Sequence, residues 1–146
     1  MDLSGQYRIP ADVATVWAAL NDAEVLSRCI PGCEELEKES DTEMAAKVAL
    51  KIGPVKARFS GRVKLQDLNP PHSYSIVGEG KGGVAGFAKG GADVRLTQDG
   101  DETVLDYSAK AQVGGKLAQL GSRLVKSTSA KLADQFFDNF SKAVAV

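Results

Sequence analysis

His72 is the single histidine of the chain and follows Pro70-Pro71 in a turn-like segment, so its imidazole is expected to be solvated. Cys29 and Cys33 stand four residues apart and could share a helix face. A metal site would need a third and a fourth ligand that their surroundings do not supply. Nor do two cysteines make a disulfide framework, and both are read as reduced or inert thiols. Paired carboxylates such as Glu34-Glu35, or Asp99 with Asp101, lie in polar, turn-like contexts with no sign of the burial that would raise a pKa. Gly78, Gly80 and Gly83 satisfy the pattern G-x-G-x-x-G. That pattern binds a dinucleotide only where a strand turns into a helix whose N-terminus receives the pyrophosphate. Here the segment from Val84 to Leu96 reads as strand, so the glycines are expected to bend a strand pair and clear its face. These groups predict no catalytic residue, no metal ion and no nucleotide.

The elements that would have to position any site can be read in order. Leu3, Gly5, Tyr7 and Ile9 alternate with Ser4, Gln6 and Arg8, a half-buried strand over residues 3–9 that Pro10 ends. Asp12 is placed to cap a helix running to Leu20, with Val13, Val16, Trp17 and Leu20 as its apolar stripe. Asn21-Asp22 breaks it and caps a second short helix through Arg28, closed by the turn Ile30-Pro31-Gly32-Cys33. From Glu34 to Val113 the period is two almost throughout. Met44, Ala46, Val48, Leu50 and Ile52 share a face before a Gly53-Pro54 turn. In the next strand Val55, Ala57, Phe59, Gly61, Val63 and Leu65 alternate with Lys56, Arg58, Ser60, Arg62, Lys64 and Gln66. Further strands are expected over 72–81, 86–98 and 103–113, in antiparallel order. A long helix then starts near Lys116, with Leu117, Leu120, Leu124, Thr128, Leu132, Phe136 and Phe140 as one stripe.

This order predicts an α+β fold in which a curved antiparallel β-sheet wraps around a long C-terminal helix, with two short helices after the first strand. At 146 residues the chain suits a single domain spanning 1–146. A formal net charge of −1 argues against nucleic acid as a partner. No secretory signal or apolar run of membrane-spanning length is visible, which makes a cytoplasmic location the expectation.

The distribution of small residues points toward binding. Gly78, Gly80, Ala88, Gly90, Ala92, Ala109 and Ala111 would line the sheet interior. Gly121, Ser127, Thr128, Ser129 and Ala130 are small as well, on the helix that faces it. Side chains this small leave space, and an apolar void takes an apolar ligand. The expected lining is Trp17, Phe59, Phe87, Tyr107, Leu117, Leu120, Leu124 and Phe136, with an apolar molecule lying between the long helix and the strands from Gly78 to Val113. On the opposite sheet face, Lys47 and Lys51 join Lys56, Arg58, Arg62 and Lys64. That basic side is read as solvated and balanced by the acids of residues 34–39, or else as a weak dock for anionic lipid.

Together these segments resemble the carbon monoxide dehydrogenase G-subunit family, within the START-like helix-grip superfamily. The likeness rests on residues 1–8, on Trp17 with Leu20, Asp22 and Leu26, and on Ile30-Pro31-Gly32-Cys33. It continues through Gly53-Pro54-Val55-Lys56-Ala57, residues 78–90, residues 113–124 and Phe136-Phe137. The resemblance implies a helix-grip fold with a lipophilic cavity and association with a molybdenum hydroxylase such as carbon monoxide dehydrogenase. It also implies a bound quinone, menaquinone or ubiquinone, and recruitment of the enzyme to the inner face of the cytoplasmic membrane. Some members continue into an apolar C-terminal anchor, whereas this sequence stops at Val146. The membrane contact expected here is therefore weak and peripheral. Two other readings stand beside this one: an assembly factor that holds no ligand, and a hydrolase or cyclase using Tyr74 or Tyr107.

Overall fold

The computed structural model describes residues 1–145. Strand β1 (Asp2–Ile9) leads into α1 (Val13–Leu20) and α2 (Ala23–Cys29). The Asp12 carboxylate accepts from the Thr15 amide, and that of Asp22 accepts from the amides of Glu24 and Val25, so both short helices are capped as their sequences direct. Six strands follow: β2 (Cys33–Lys38), β3 (Glu43–Ile52), β4 (Val55–Asn69), β5 (Ser73–Lys81), β6 (Phe87–Asp99) and β7 (Glu102–Gly114). They join β1 in one seven-stranded antiparallel sheet of order β1-β7-β6-β5-β4-β3-β2.

Alternation along β4 has the expected sense. Leu65 is buried and Phe59 half-buried, while Lys56, Arg58 and Arg62 are exposed. Val63 shares the inner face but stays 37% exposed, because its cross-strand neighbour Gly78 offers no side chain to cover it.

The C-terminal segment departs from the expectation of one continuous helix from Lys116. It forms a single turn, α3 (Lys116–Gln119), and then α4 (Ser122–Val144). Gly121 separates them at φ +90°, outside the helical region and disfavoured for any residue with a Cβ. Gly121 is thus a hinge residue between helices rather than a costly glycine inside one.

Packing divides the molecule into two halves. In one, Ile9, Val16, Leu96, Leu105 and Phe140 are almost fully excluded from solvent and belong to a core shared by α1, α2, the sheet and the C-terminal half of α4. Thr103 is buried there with its hydroxyl donating to the Ala11 carbonyl at 2.8 Å. Stacked Tyr7, Tyr107 and Phe137 flank this core, with Tyr7 and Phe137 centroids 4.2 Å apart. The other half, beneath α3 and the middle of α4, is where Gly61, Gly80 and Ala88 face inward and the space is not filled.

Candidate functional site: an apolar cavity under the long helix

The unfilled space is a cavity of about 450 Å³. Its floor is the inner face of the sheet: Val48, Leu50 and Ile52 from β3, Phe59 and Gly61 from β4, Gly80 from β5 and Ala88 from β6. The roof is Leu132, Ala133 and Phe136 of α4, with Leu117 of α3. Ile30 and Pro31, in the turn between α2 and β2, form a side wall. None of these side chains carries a hydroxyl, thiol, amine, amide or carboxylate.

The register explains why these residues meet. The tight turn at Gly53-Pro54 sets Ile52 opposite Val55, which places Val48 opposite Phe59. Gly61 lies opposite Gly80, and Gly80 opposite Ala88, so three adjacent strands present at most a methyl group at one level. Leu124 closes over the β3–β4 turn, its Cδ2 only 2.8 Å from where a Cβ on Gly53 would sit.

Of the eight lining residues named from sequence, Phe59, Leu117 and Phe136 are brought together on the cavity wall. Trp17 lies in the packed half instead, edge-on to Tyr74 with ring centroids 5.3 Å apart. Tyr107 is held in the stack with Tyr7 and Phe137. Phe87 precedes Ala88 on β6, and strand alternation lets only one of two neighbours face inward. Ala88 does so, and Phe87 turns outward over Gly114, 43% exposed. Leu120 ends α3 and Leu124 sits over the Gly53 turn, both half-buried and off the wall. The cavity is accordingly displaced from the strands of residues 78–113 toward β3 and β4. Val48, Leu50, Ile52 and Leu132 were visible as apolar stripes; what linked them to the site was the β3–β4 register, which sequence periodicity alone does not orient toward α4.

Polar groups lie elsewhere. The Tyr7 hydroxyl donates to Asp134 at 2.6 Å; burial, reinforced by that carboxylate, pushes the phenol pKa well above its ordinary value. Burial alone does the same for Tyr74. Cys29 and Cys33 have thiol pKa values raised by burial, and His72 is exposed. Among the described residues no cluster of three or more His, Cys, Asp or Glu side chains could hold a metal ion. A larger depression, about 820 Å³, crosses the outer sheet face, but Arg62, Lys64, Glu79, Lys89 and Lys110 line it and make it a charged groove unsuited to an apolar ligand.

A curved antiparallel sheet holding a long C-terminal helix over an apolar cavity, with two short helices after the first strand, defines a START-like helix-grip domain. A START superfamily protein from Mycobacterium smegmatis has this fold, with a TM-score of 0.75 at 13% identity over 98% of this chain and 96% of that one. A Thermus thermophilus protein is similar at TM-score 0.72 and 16% identity, over 99% and 97% of the two chains. Much nearer is a conserved protein from Geobacillus kaustophilus, 30% identical over 99% of this chain and 95% of its own, with a TM-score of 0.93. No curated protein sequence matches the chain. The sequence profile of CoxG, the G subunit of carbon monoxide dehydrogenase, matches residues 5–145, and the chain belongs to that family.

Proposed function

We propose that this protein is an accessory binding protein that holds a quinone, or a closely related isoprenoid lipid, for a molybdenum hydroxylase of the carbon monoxide dehydrogenase type. The observation that carries the reading is the wall chemistry: thirteen lining residues without one functional group. Such a site has no acid, base or nucleophile for catalysis, and the redox chemistry would belong to the ligand and the partner enzyme. Tyr74 and Tyr107, the side chains a hydrolase or cyclase would use, are not on the wall. Family membership supports the partner, because CoxG takes its name from that dehydrogenase.

Volume limits what fits. At about 30 Å³ per water-sized group, the cavity of about 450 Å³ takes about fifteen such groups. That is a quinone ring with about one isoprene unit, and a longer tail would extend outside. Each enclosed isoprene unit removes five carbons from water, worth about 4 kcal/mol at about 0.8 kcal/mol per carbon group. Against a bilayer instead of water the exchange is nearly balanced, as a carrier requires.

Two measurements on detergent-free protein test this. Solvent extraction followed by mass spectrometry should return a quinone, and delipidated protein should take up a short-chain quinone in a calorimetric titration. Leu132→Asp, which sets a carboxylate in the wall, should abolish uptake while circular dichroism stays native. Protein that neither carries nor takes up quinone leaves the ligand-free assembly factor as the correct reading.

A further inference from the structure

The charges of this chain are segregated. Residues 44–66, 80–92 and 107–133 contain thirteen of the 18 Lys and Arg residues and none of the 19 Asp and Glu residues. These three stretches are brought to one end of the sheet. The first carries the Gly53-Pro54 turn between β3 and β4, and the second the loop between β5 and β6, a single 3-10 turn over Gly83–Ala85. The third carries the passage from β7 through α3 into α4. Gly86 and Gly115 hold the last two together, since a Cβ on Gly115 would lie 2.6 Å from the Gly86 Cα. The cavity wall residues Ile52 and Leu117 belong to this same end.

Deeper on the outer face three cations are paired with acids of β2 and the turn that follows it: Arg58 with Glu34 at 3.0 Å, Arg62 with Glu39 at 2.9 Å and Lys47 with Glu35 at 3.7 Å. Lys51, Lys56, Lys81 and Lys116 are exposed and have no ion-pair partner among the described residues. Lys51 and Lys56 stand directly opposite each other across the hairpin, a like-charge pair that disfavours the sheet until an anion approaches. Among these lysines protrudes the most exposed large apolar side chain among the described residues, Val84 at 84%, with Phe87 beside it at 43%.

We propose that this end of the molecule is a docking surface for an anionic bilayer, with Val84 and Phe87 entering the interface while Lys51, Lys56, Lys81 and Lys116 engage lipid headgroups. The assignment rests on the reading of the cavity as a lipid site, since it sets that cavity against the membrane from which its ligand would come. It moves the contact from the basic sheet face, half of which is paired, to the tip. Each cation near an anionic surface strengthens partition roughly fivefold, and salt screens the effect.

Vesicle flotation tests the surface, using phosphatidylcholine alone and phosphatidylcholine mixed with phosphatidylglycerol. Wild-type protein should float only with the anionic vesicles and release as salt is raised. The triple variant Lys56→Glu/Lys81→Glu/Lys116→Glu should lose at least about a hundredfold in partition, at roughly fivefold per cation. Val84→Asp should lose about tenfold or more, since a charge replaces the inserted side chain. The control triple Arg28→Glu/Lys38→Glu/Arg95→Glu makes the same change in net charge away from the tip and should float like wild type. Absence of binding to either vesicle, or an equal loss in the control triple, overturns the proposal; the first result would leave the tip to an acidic protein partner. Uptake of short-chain quinone, measured in parallel on the tip variants, should be unchanged. A protein that fails that titration in wild-type form refutes the cavity reading, whereas tip variants that take up quinone and still float refute the docking surface alone.

Discussion

Gly80→Leu tests the cavity by the sign of its effect on stability. Gly80 lies near the C-terminal end of β5 facing the cavity, and a Cβ built there meets nothing nearer than the Ser60 carbonyl oxygen at 3.9 Å. The four carbons of a leucine would occupy about 120 Å³ at about 30 Å³ each, roughly a quarter of the cavity. Burying that side chain contributes about 1.5–3 kcal/mol, and replacing a strand glycine adds about 0.5–1 kcal/mol. Fixing the leucine rotamer takes back about 0.5–1 kcal/mol. The net gain of about 2 kcal/mol should raise Tm by about 6 °C in a domain of this size. Scanning calorimetry on delipidated protein is the right assay, because bound ligand would stabilise wild type and hide the difference. Quinone affinity should fall about a hundredfold, as roughly four carbon groups of ligand lose their place. In a filled core the same substitution would overpack and cost about 1–3 kcal/mol. A lower Tm for Gly80→Leu would therefore refute the cavity itself, whatever the ligand.

Thr103→Val should lower stability by about 1–3 kcal/mol in urea or thermal unfolding, because the buried Ala11 carbonyl loses the hydroxyl that donates to it at 2.8 Å. Gly86→Ala should cost roughly 3 kcal/mol, since Gly86 holds φ +109° and an added Cβ would lie 1.9 Å from the Gly114 carbonyl oxygen. Both thiols should react slowly with iodoacetamide at neutral pH, Cys29 becoming reactive only on unfolding, because it is 1% exposed and burial raises its pKa. The Asp12 carboxylate has its pKa lowered by its hydrogen bond from Thr15, so its contribution is present above the unfolded-state value and lost as pH falls through the folded one. Asp12→Asn should consequently be less stable than wild type at neutral pH and converge with it in acid.

The strands, the two capped helices and the sheet faces were legible because period-two alternation and Asp caps act locally. The break at Gly121 was not. Leu117, Leu120 and Leu124 keep helical spacing across it, and only the backbone angle shows that the chain turns there. The lining residues were legible in kind rather than in membership. Phe87 and Tyr107 were named for size, but parity turns Phe87 outward and stacking holds Tyr107 between Tyr7 and Phe137. Leu132 and Leu50 belong to the wall through pairing across many residues, which no local window registers. Charge segregation was in the sequence throughout, yet its meaning depended on topology. Three acid-free stretches far apart in the chain become one surface only when the hairpin ends line up.

The division into a packed and an unpacked half follows from what an apolar void costs. A sealed cavity of about 450 Å³ would cost about 11 kcal/mol at about 24 cal/mol per Å³, comparable with the whole stability of a domain this size. A dry, closed and empty cavity is thus excluded on energetic grounds: the space must open to solvent or be filled. Filling it with an apolar molecule removes the penalty without any specific polar contact, which fits a wall that has none to offer. The packed half, with Phe140, Leu105, Leu96 and the satisfied Thr103, would then carry the stability while a ligand exchanged in the other. Such exchange would disturb α3 and the middle of α4 most directly, because Leu117, Leu132, Ala133 and Phe136 form the roof over the cavity. Lys116, one of the four unpaired lysines, lies on α3 next to the wall residue Leu117, so an approaching anionic surface and a departing ligand would both act on that turn. Motion at that turn would leave the packed half undisturbed, since Leu117 stands outside the core cluster built around Phe140, Leu105 and Leu96.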